Sequence, residues 1–221
     1  MATTPVLLTR PRPESQRFAA ALGVPCEISP LLRIEFTGLA APEAAALLFT
    51  SANGVGAWVA GGGATGLPVW CVGTRTADAA REAGFEVRGI ARDADALVAS
   101  VPDDAPSLLR VRGEHARGCV ARRLADRGLR MEEAVMYRAR ALPLTDRARA
   151  LAVSGPVVAP IFSPRSAQLL SGAWPQGMLP HLKVVAMSGA VAAALPVAPV
   201  AVAARPDAAA MREATLAALG C

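Results

Sequence analysis

Leu47-Leu48-Phe49-Thr50-Ser51-Ala52-Asn53-Gly54-Val55 and, in the last third of the chain, Val157-Val158-Ala159-Pro160-Ile161-Phe162-Ser163-Pro164-Arg165-Ser166-Ala167 have one design. Each begins with an apolar run that does not alternate, the mark of a strand buried on both faces of a parallel sheet. Each then meets a serine of the type that caps helices, with Pro164 well placed at a first helical position. The downstream elements are shared too. After the first run come a strand (Val69–Val72) ending at Gly73-Thr74-Arg75-Thr76, a helix (Ala77–Ala83) closed by Gly84, a strand (Phe85–Ile90), and a helix to Val101 capped by Asp93. After the second come a strand (Leu182–Met187) ending at Ser188-Gly189, a helix (Ala190–Leu195), a strand (Val197–Ala203) and a helix (Asp207–Leu219). Ser51 matches Ser163, and Gly73 matches Gly189. This is an internal repeat.

The first copy continues with strand, helix, strand. Leu108–Val111 ends at Arg112-Gly113, Glu114–Arg127 is closed by Gly128, and the β-leaning Leu129–Leu142 contains Tyr137. The second copy ends without that unit, which sits at the N-terminus instead. Val6–Thr9 ends at Arg10-Pro11, Glu14–Leu22 is closed by Gly23, and Cys26–Phe36 is β-leaning with a break at Pro30. Arg10 matches Arg112. Alternating strands and helices call for parallel sheets covered on both faces. The expected fold is therefore α/β, with two similar flavodoxin-like or Rossmann-like domains. Residues 37–142 form one, inserted into another built from 1–36 and 143–221. The two crossings would pair as a two-stranded β ribbon. A short helix is also expected over Pro42–Ala46.

Composition narrows the function. Hydrophobic residues make up 53% and charged residues 19%, which supplies a core and excludes global disorder. Aromatics at 4% are too few for a base-stacking platform, so no nucleic-acid partner is expected. Lys183 is the sole lysine among 23 cationic residues, and the net charge is +5. An arginine-rich balance follows from codon bias or from a polyanionic ligand, since the guanidinium fork suits carboxylates. Cys26, Cys71, Cys119 and Cys221 have no metal-ligand or redox spacing, and His115 and His181 join no cluster, so no metal is expected. Met1–Pro11 does not read as an export signal. Val184–Ala204 is uncharged, but its prolines and Ser188-Gly189 break it into short elements, so no membrane span is expected.

In open parallel sheets ligands bind beyond the carboxyl ends of the strands. Here those ends carry Arg10, Ser51 to Gly54, Gly73 to Thr76, Arg112-Gly113, Ser163 to Ser166 and Ser188. Most of them open helices, whose free N–H groups favour anions. Helix capping alone also accounts for the serines, and ring packing alone for Tyr137, the only tyrosine. On these residues an enzyme, a solute-binding protein and a sensor module all remain open.

Leu7-Leu8-Thr9-Arg10-Pro11, Phe49 to Val55, Val72 to Ala77 with Ala83-Gly84-Phe85, and Phe162 to Ala167 together resemble uroporphyrinogen-III synthases, in order and over nearly the whole chain. The resemblance implies two α/β domains joined by a ribbon. It also implies a cytoplasmic, cofactor-free lyase of tetrapyrrole biosynthesis that closes hydroxymethylbilane with its last ring inverted. A monomer is implied, with transient contact to the preceding pathway enzyme. Tyr137 falls on the position of the cleft proton donor and Thr76 on a cleft contact. Arg10, Ser51, Asn53, Gly73, Arg112, Gly113, Ser163, Ser166 and Ser188 fall on the substrate-binding turns. Ala192 stands where the other copy has Thr76, a departure from the pattern.

Overall fold

In the computed structural model, which describes residues 4–115 and 119–220, the chain opens with β1 (Val6–Leu8), α1 (Arg12–Leu22), β2 (Cys26–Ile28) and β3 (Leu32–Phe36). It continues through β4 (Ala46–Phe49), α2 (Ala52–Ala60), β5 (Pro68–Val72), α3 (Thr74–Glu82), β6 (Glu86–Ala91) and α4 (Ala94–Ser100). Next come β7 (Leu108–Gly113), α5 (Val120–Ala125), β8 (Met131–Ala141), α6 (Asp146–Ser154), β9 (Val157–Ile161) and α7 (Pro164–Ala173). A 3-10 turn (Leu179–His181), β10 (Leu182–Ala186), α8 (Gly189–Ala192), β11 (Ala201–Val202) and α9 (Ala208–Leu219) complete it. Two compact units result: Met1–Arg33 with Arg140–Cys221, and Ile34–Ala139.

The first unit holds a five-stranded sheet in the order β11-β10-β9-β1-β2, and every neighbouring pair is parallel. The second holds a six-stranded sheet, β3-β8-β7-β4-β5-β6, parallel from β8 to β6. If β9, β10, β11, β1 and β2 are laid on β4, β5, β6, β7 and β8, the two spatial orders coincide. The strand-helix-strand unit that ends one copy in sequence begins the other, yet it occupies the same place in the sheet. The protein is α/β, one sheet parallel throughout and the other parallel except where β3 joins its edge, each with helices on its faces.

The apolar runs do what their lack of alternation implies. β4 and β9 are buried at every residue. Successive side chains serve opposite faces. Leu47 and Phe49 join the core under α2 and α3, whereas Ala46 and Leu48 join the core under α4 and α5. In the other unit Leu7 faces one core, and Val6 and Leu8 face the other. Each fully buried leucine contributes up to about 1.5–3 kcal/mol. Leu31 and Leu144, at the two crossings, are both inserted in the first unit's core, where the Leu142 N–H donates to the Leu31 carbonyl at 2.9 Å.

Several local expectations change. Pro42–Ala46 forms no helix: five residues cannot offset the cost of a helical nucleus, and Ala46 starts β4. The Ala41 N–H is held instead by the Gly61 carbonyl at 2.9 Å. α6 stands in 143–156, where no helix is expected from the apolar pattern, and Thr145 caps it through the Ala148 N–H. The strand over Val197–Ala203 contracts to Ala201–Val202, since Pro196 and Pro199 carry no donor for a ladder. The helix expected over Glu114–Arg127 is seen as Val120–Ala125, and residues 116–118 lie outside the described residues. Among the described residues no helix is long and apolar enough to cross a membrane.

Candidate active site

Each sheet has one point where strand order reverses, and such points are where open α/β sheets take ligands. In the second unit it lies between β4 and β7. Ser51 leaves β4 in extended backbone and accepts the Asn53 N–H at 3.2 Å, capping α2. Gly54 lets that helix close on β7: a methyl there would come 3.2 Å from the Val111 carbonyl. The Asn53 side chain makes no hydrogen bond among the described residues. Gly73, at φ +78°, caps α3 without a side chain, and its N–H is held by Ala91 at 2.8 Å. Thr76 is buried in the first turn of α3.

β7 brings up two arginines. Arg110 is buried and pairs with Glu133 of β8 at 3.0 Å, and Arg112 lies 2.8 Å from the other oxygen of that carboxylate. Arg112 also donates to the carbonyls of Gly113 and Glu114, at 3.1 and 3.3 Å. Just beyond, the β7–β8 register slips, so that Arg112 faces Val135 but Gly113 faces Tyr137. The bulge turns Tyr137 onto Gly113, where a methyl would come 2.7 Å from the ring. The Glu114 N–H fixes the Tyr137 carbonyl at 2.9 Å. The ring packs beside the core under α2, half-buried, and its hydroxyl has no partner among the described residues.

In the first unit the reversal lies between β1 and β9. Arg10 follows β1 with its guanidinium 4.2 Å over the Phe162 ring, and Phe162 stands edge-on to Phe18 at 5.0 Å. Ser15 donates to the Arg10 carbonyl at 2.8 Å and fixes the turn into α1. Ser163 caps α7, accepting the Ser166 N–H at 3.1 Å and meeting the Ser166 hydroxyl at 2.9 Å. Ser188 caps α8 through the Val191 N–H at 3.4 Å. The caps correct one match in the repeat. Cys71 pairs with Phe49 as Ala186 pairs with Ile161, and the cap comes two residues later in each case. Gly73 therefore corresponds to Ser188, not Gly189, and Thr76 to the buried Val191, not Ala192.

The electrostatics favour an anion. α2, α3, α7 and α8 have no acidic residue in their first turns, where acids are ordinarily preferred, and Arg75 and Arg165 stand there in α3 and α7. α1, α4 and α6 do carry acids there, at Glu14, Asp95 and Asp146, and Glu14 is bonded to Arg17 at 3.3 Å. Among the described residues no three His, Cys, Asp or Glu side chains come together to hold a metal. His115 lies exposed beside Glu114 at 3.9 Å, and His181 meets the Ala152 carbonyl at 2.9 Å, a structural contact. Burial pushes the Cys71 thiol up to about 11 and also raises that of Cys26. Sequence reasoning missed three features: Glu133 bridging two arginines, Phe162 under Arg10, and Gly113 as the seat of Tyr137. Only the aromatic after an apolar run, at Phe162, was open to notice.

The model of the family described as uroporphyrinogen-III synthase HemD matches residues 15–213. The chain belongs to the uroporphyrinogen-III synthase family. Among solved structures it is similar to uroporphyrinogen-III synthetase from Helicobacter pylori, with TM-score 0.73 and 17% identity over 97% of this chain and 99% of that one. It is also similar to a mutant uroporphyrinogen III synthase from Thermus thermophilus, with TM-score 0.57 and 18% identity over 98% and 99%. No curated protein sequence matches it. At those identities the structures establish the shared fold, and the family model ties the chain to porphyrin synthesis. In the second unit Tyr137 is seated against the carboxyl end of β7, and α2 and α3 start without acids beyond β4 and β5, at the end of an open α/β sheet where ligands generally bind.

Proposed function

We propose that the protein is the lyase that closes hydroxymethylbilane to uroporphyrinogen III. The observation that carries the reading is the match to the family model over residues 15–213, which takes in the whole strand-order reversal of the second unit and the β9 side of that in the first, β1 and Arg10 preceding it. The substrate's eight carboxylates suit the first turns of α2, α3 and α7 and the cations beside them. Ser51, Asn53, Gly73, Thr76, Gly113, Ser163, Ser166 and Arg10 serve as its binding set. Arg112 joins them by exchanging Glu133 for a substrate carboxylate. Ser188 offers the turn of a four-residue helix and one hydroxyl already used as a cap.

In the reaction the terminal hydroxyl leaves as water, taking a proton from a donor, while a pyrrole nitrogen supplies the electron pair and gives up its proton. The resulting azafulvene is attacked by the substituted α-carbon of the far pyrrole. The spiro intermediate then breaks its older bond to that carbon. The freed methylene rejoins the ring at the other α-carbon, whose proton is lost. No electrons are gained or lost, so the chemistry needs no redox partner. Tyr137 is the proposed proton donor, since its ring is seated on Gly113 and its hydroxyl has no partner among the described residues. Most of the catalysis is conformational, because closure through the unsubstituted carbon competes without help.

As parts of the same proposal, the enzyme works as a cytoplasmic monomer, free of metal and organic cofactor, in transient contact with the enzyme that supplies its substrate. Residues 37–142 act as a domain inserted into that of 1–36 and 143–221. The division into compact units supports this, with its boundaries three residues earlier at both crossings. The test is a product assay with freshly made hydroxymethylbilane. Wild type is expected to give mainly isomer III. Tyr137→Phe is expected to slow it by up to about 10²–10⁴-fold with little change in melting temperature. Isomer I alone from wild type overturns the function. An equally fast Tyr137→Phe leaves the function standing and reduces Tyr137 to packing.

A further inference from the structure

Phe36 ends β3 with 46% of its surface exposed, although aromatics make up only 4% of the chain. The backbone places it. β3 and β8 are hydrogen-bonded neighbours, and the Thr37 N–H donates to the Met136 carbonyl at 2.9 Å. The register set by that bond puts Phe36 directly across from Tyr137. Leu142 bonded to Leu31 keeps the same register, and as one number falls the other rises, so the strands run antiparallel. Phe36 and Tyr137 thus form the non-hydrogen-bonded kind of pair, whose side chains come closest. Glycine seats both rings. A methyl at Gly56 would come 3.2 Å from the tip of Phe36, and one at Gly113 would come 2.7 Å from Tyr137. Gly56 belongs to α2, the helix whose first turn carries Ser51 and Asn53. Phe36 therefore turns its ring tip to α2, lies across the ladder from Tyr137, and stays 46% exposed.

Such a ring on an edge strand is a liability that proteins ordinarily avoid. A smaller apolar side chain would cover Gly56 equally well. A half-exposed ring across the ladder from a hydroxyl that has no partner among the described residues suits a ligand made of flat rings that must be oriented against a proton donor. We propose that Phe36 is a substrate-binding residue that stacks on one pyrrole ring of the linear tetrapyrrole and fixes which α-carbon is presented for closure. The inference rests on the functional reading above. Its consequence is selective. Tyr137 assists departure of the hydroxyl whichever carbon attacks next, whereas the stacked ring decides between the substituted carbon, leading to isomer III, and the free one, leading to isomer I.

The experiment compares Phe36→Ala, Phe36→Leu and Phe36→Trp with wild type, using freshly made hydroxymethylbilane, with initial rates at varied substrate for KM and kcat and enzyme in excess for the isomer partition. KM, kcat, isomer partition and melting temperature are read. Wild type diluted to the same turnover gives the isomer I that arises merely from slower catalysis. Phe36→Ala and Phe36→Leu should lower kcat/KM by about 3- to 30-fold, mainly through KM, and yield isomer I beyond the diluted control. Phe36→Trp should stay within about 2-fold of wild type in both. Melting should shift little, since the ring is half exposed. Wild-type KM and partition in Phe36→Ala would overturn the proposal. So would Phe36→Leu working as well as wild type, or Phe36→Trp failing as Phe36→Ala does. Isomer I alone from wild type would show the functional reading itself to be wrong, an outcome separate from any variant's behaviour.

Discussion

Gly113→Ala tests whether the bulge in β7–β8 positions the proposed proton donor. The new methyl would come 2.7 Å from Cε2, 3.0 Å from Cζ and 3.2 Å from Cδ2 of Tyr137. Carbon contacts are comfortable at about 3.5–4.0 Å, so the ring has to retreat by roughly 1 Å. Overpacking a rigid core costs about 1–3 kcal/mol, and the cost here belongs near the low end because the half-buried ring has room to swing outward. For a chain of this size 1 kcal/mol is about 2–4 °C of melting temperature. Activity should suffer more than stability, because a misplacement near 1 Å can cost about 10²-fold. The assay follows isomer III formation in a cycle of wild type, Gly113→Ala, Tyr137→Phe and the double variant. If the methyl acts through the hydroxyl, Gly113→Ala adds little to Tyr137→Phe, and the cycle is strongly non-additive. A Gly113→Ala enzyme within about 2-fold of wild type would refute the reasoning. So would an effect undiminished in the Tyr137→Phe background.

Gly63→Ala places a methyl 2.2 Å from the fully buried Trp58, whose indole N–H is held by the Ala64 carbonyl at 3.0 Å, so this variant should lose about 1–3 kcal/mol in urea denaturation. Unchanged stability would show that the 61–66 loop yields freely. Glu133→Gln removes the carboxylate shared by Arg110 and Arg112, and with Arg110 buried it should cost roughly 3 kcal/mol, so a loss below about 1 kcal/mol counts against the pair as a brace. Among Cys26, Cys71 and Cys119, alkylation at pH 8 of the native protein should strike the exposed Cys119 first and Cys71 last, as mass spectrometry of timed digests would show. The Cys71 thiol is raised by burial to about 11 from 9.0, so stability from keeping it neutral is full below 9.0 and is lost as pH rises through about 11. Removing that dependence with Cys71→Ala is the check.

The strands of the repeat were legible because burial on both faces leaves an unmistakable apolar run, as in Ala46–Phe49 and Leu182–Ala186. Helix starts were legible where a side chain does the capping: Ser51, Asp93 and Ser163 all accept the N–H expected of them, and Asp207, expected as the first helical residue, caps α9 in the same way. α6 escaped because its buried side is only Ala148 and Ala152, too small to make an apolar stripe. Thr145 and Asp146 were its available signals. Gly73 was matched to the wrong residue because glycine identity is a poor guide at a cap, where serine serves equally. Thr76 could be placed at a strand end from sequence and Tyr137 on a β-leaning segment, with its site role implied only by the family resemblance, but the seat of Tyr137 could not. It depends on one extra residue in β8 opposite β7, and no local pattern announces a slip between strands so far apart.

The repeat bears on how such a site would tolerate sequence change. Both strand-order reversals set a capped serine turn beside a strand with an arginine at or just past its carboxyl end: Ser51 with Arg112, Ser163 with Arg10. Ser51 and Ser163 share nearly the same extended conformation, at φ −160° and −152°. The side chains have parted company. Arg112 is bound to Glu133 and to main-chain carbonyls, whereas Arg10 lies over Phe162. A side chain keeps its role only while its identity and its partners persist. A helix-start N–H keeps its role as long as the turn forms, whichever residue supplies it. A polycarboxylate held mainly by such N–H groups leaves the sequence around the turns free to drift. That fits a chain only 17–18% identical to structures whose fold it matches over nearly their whole length.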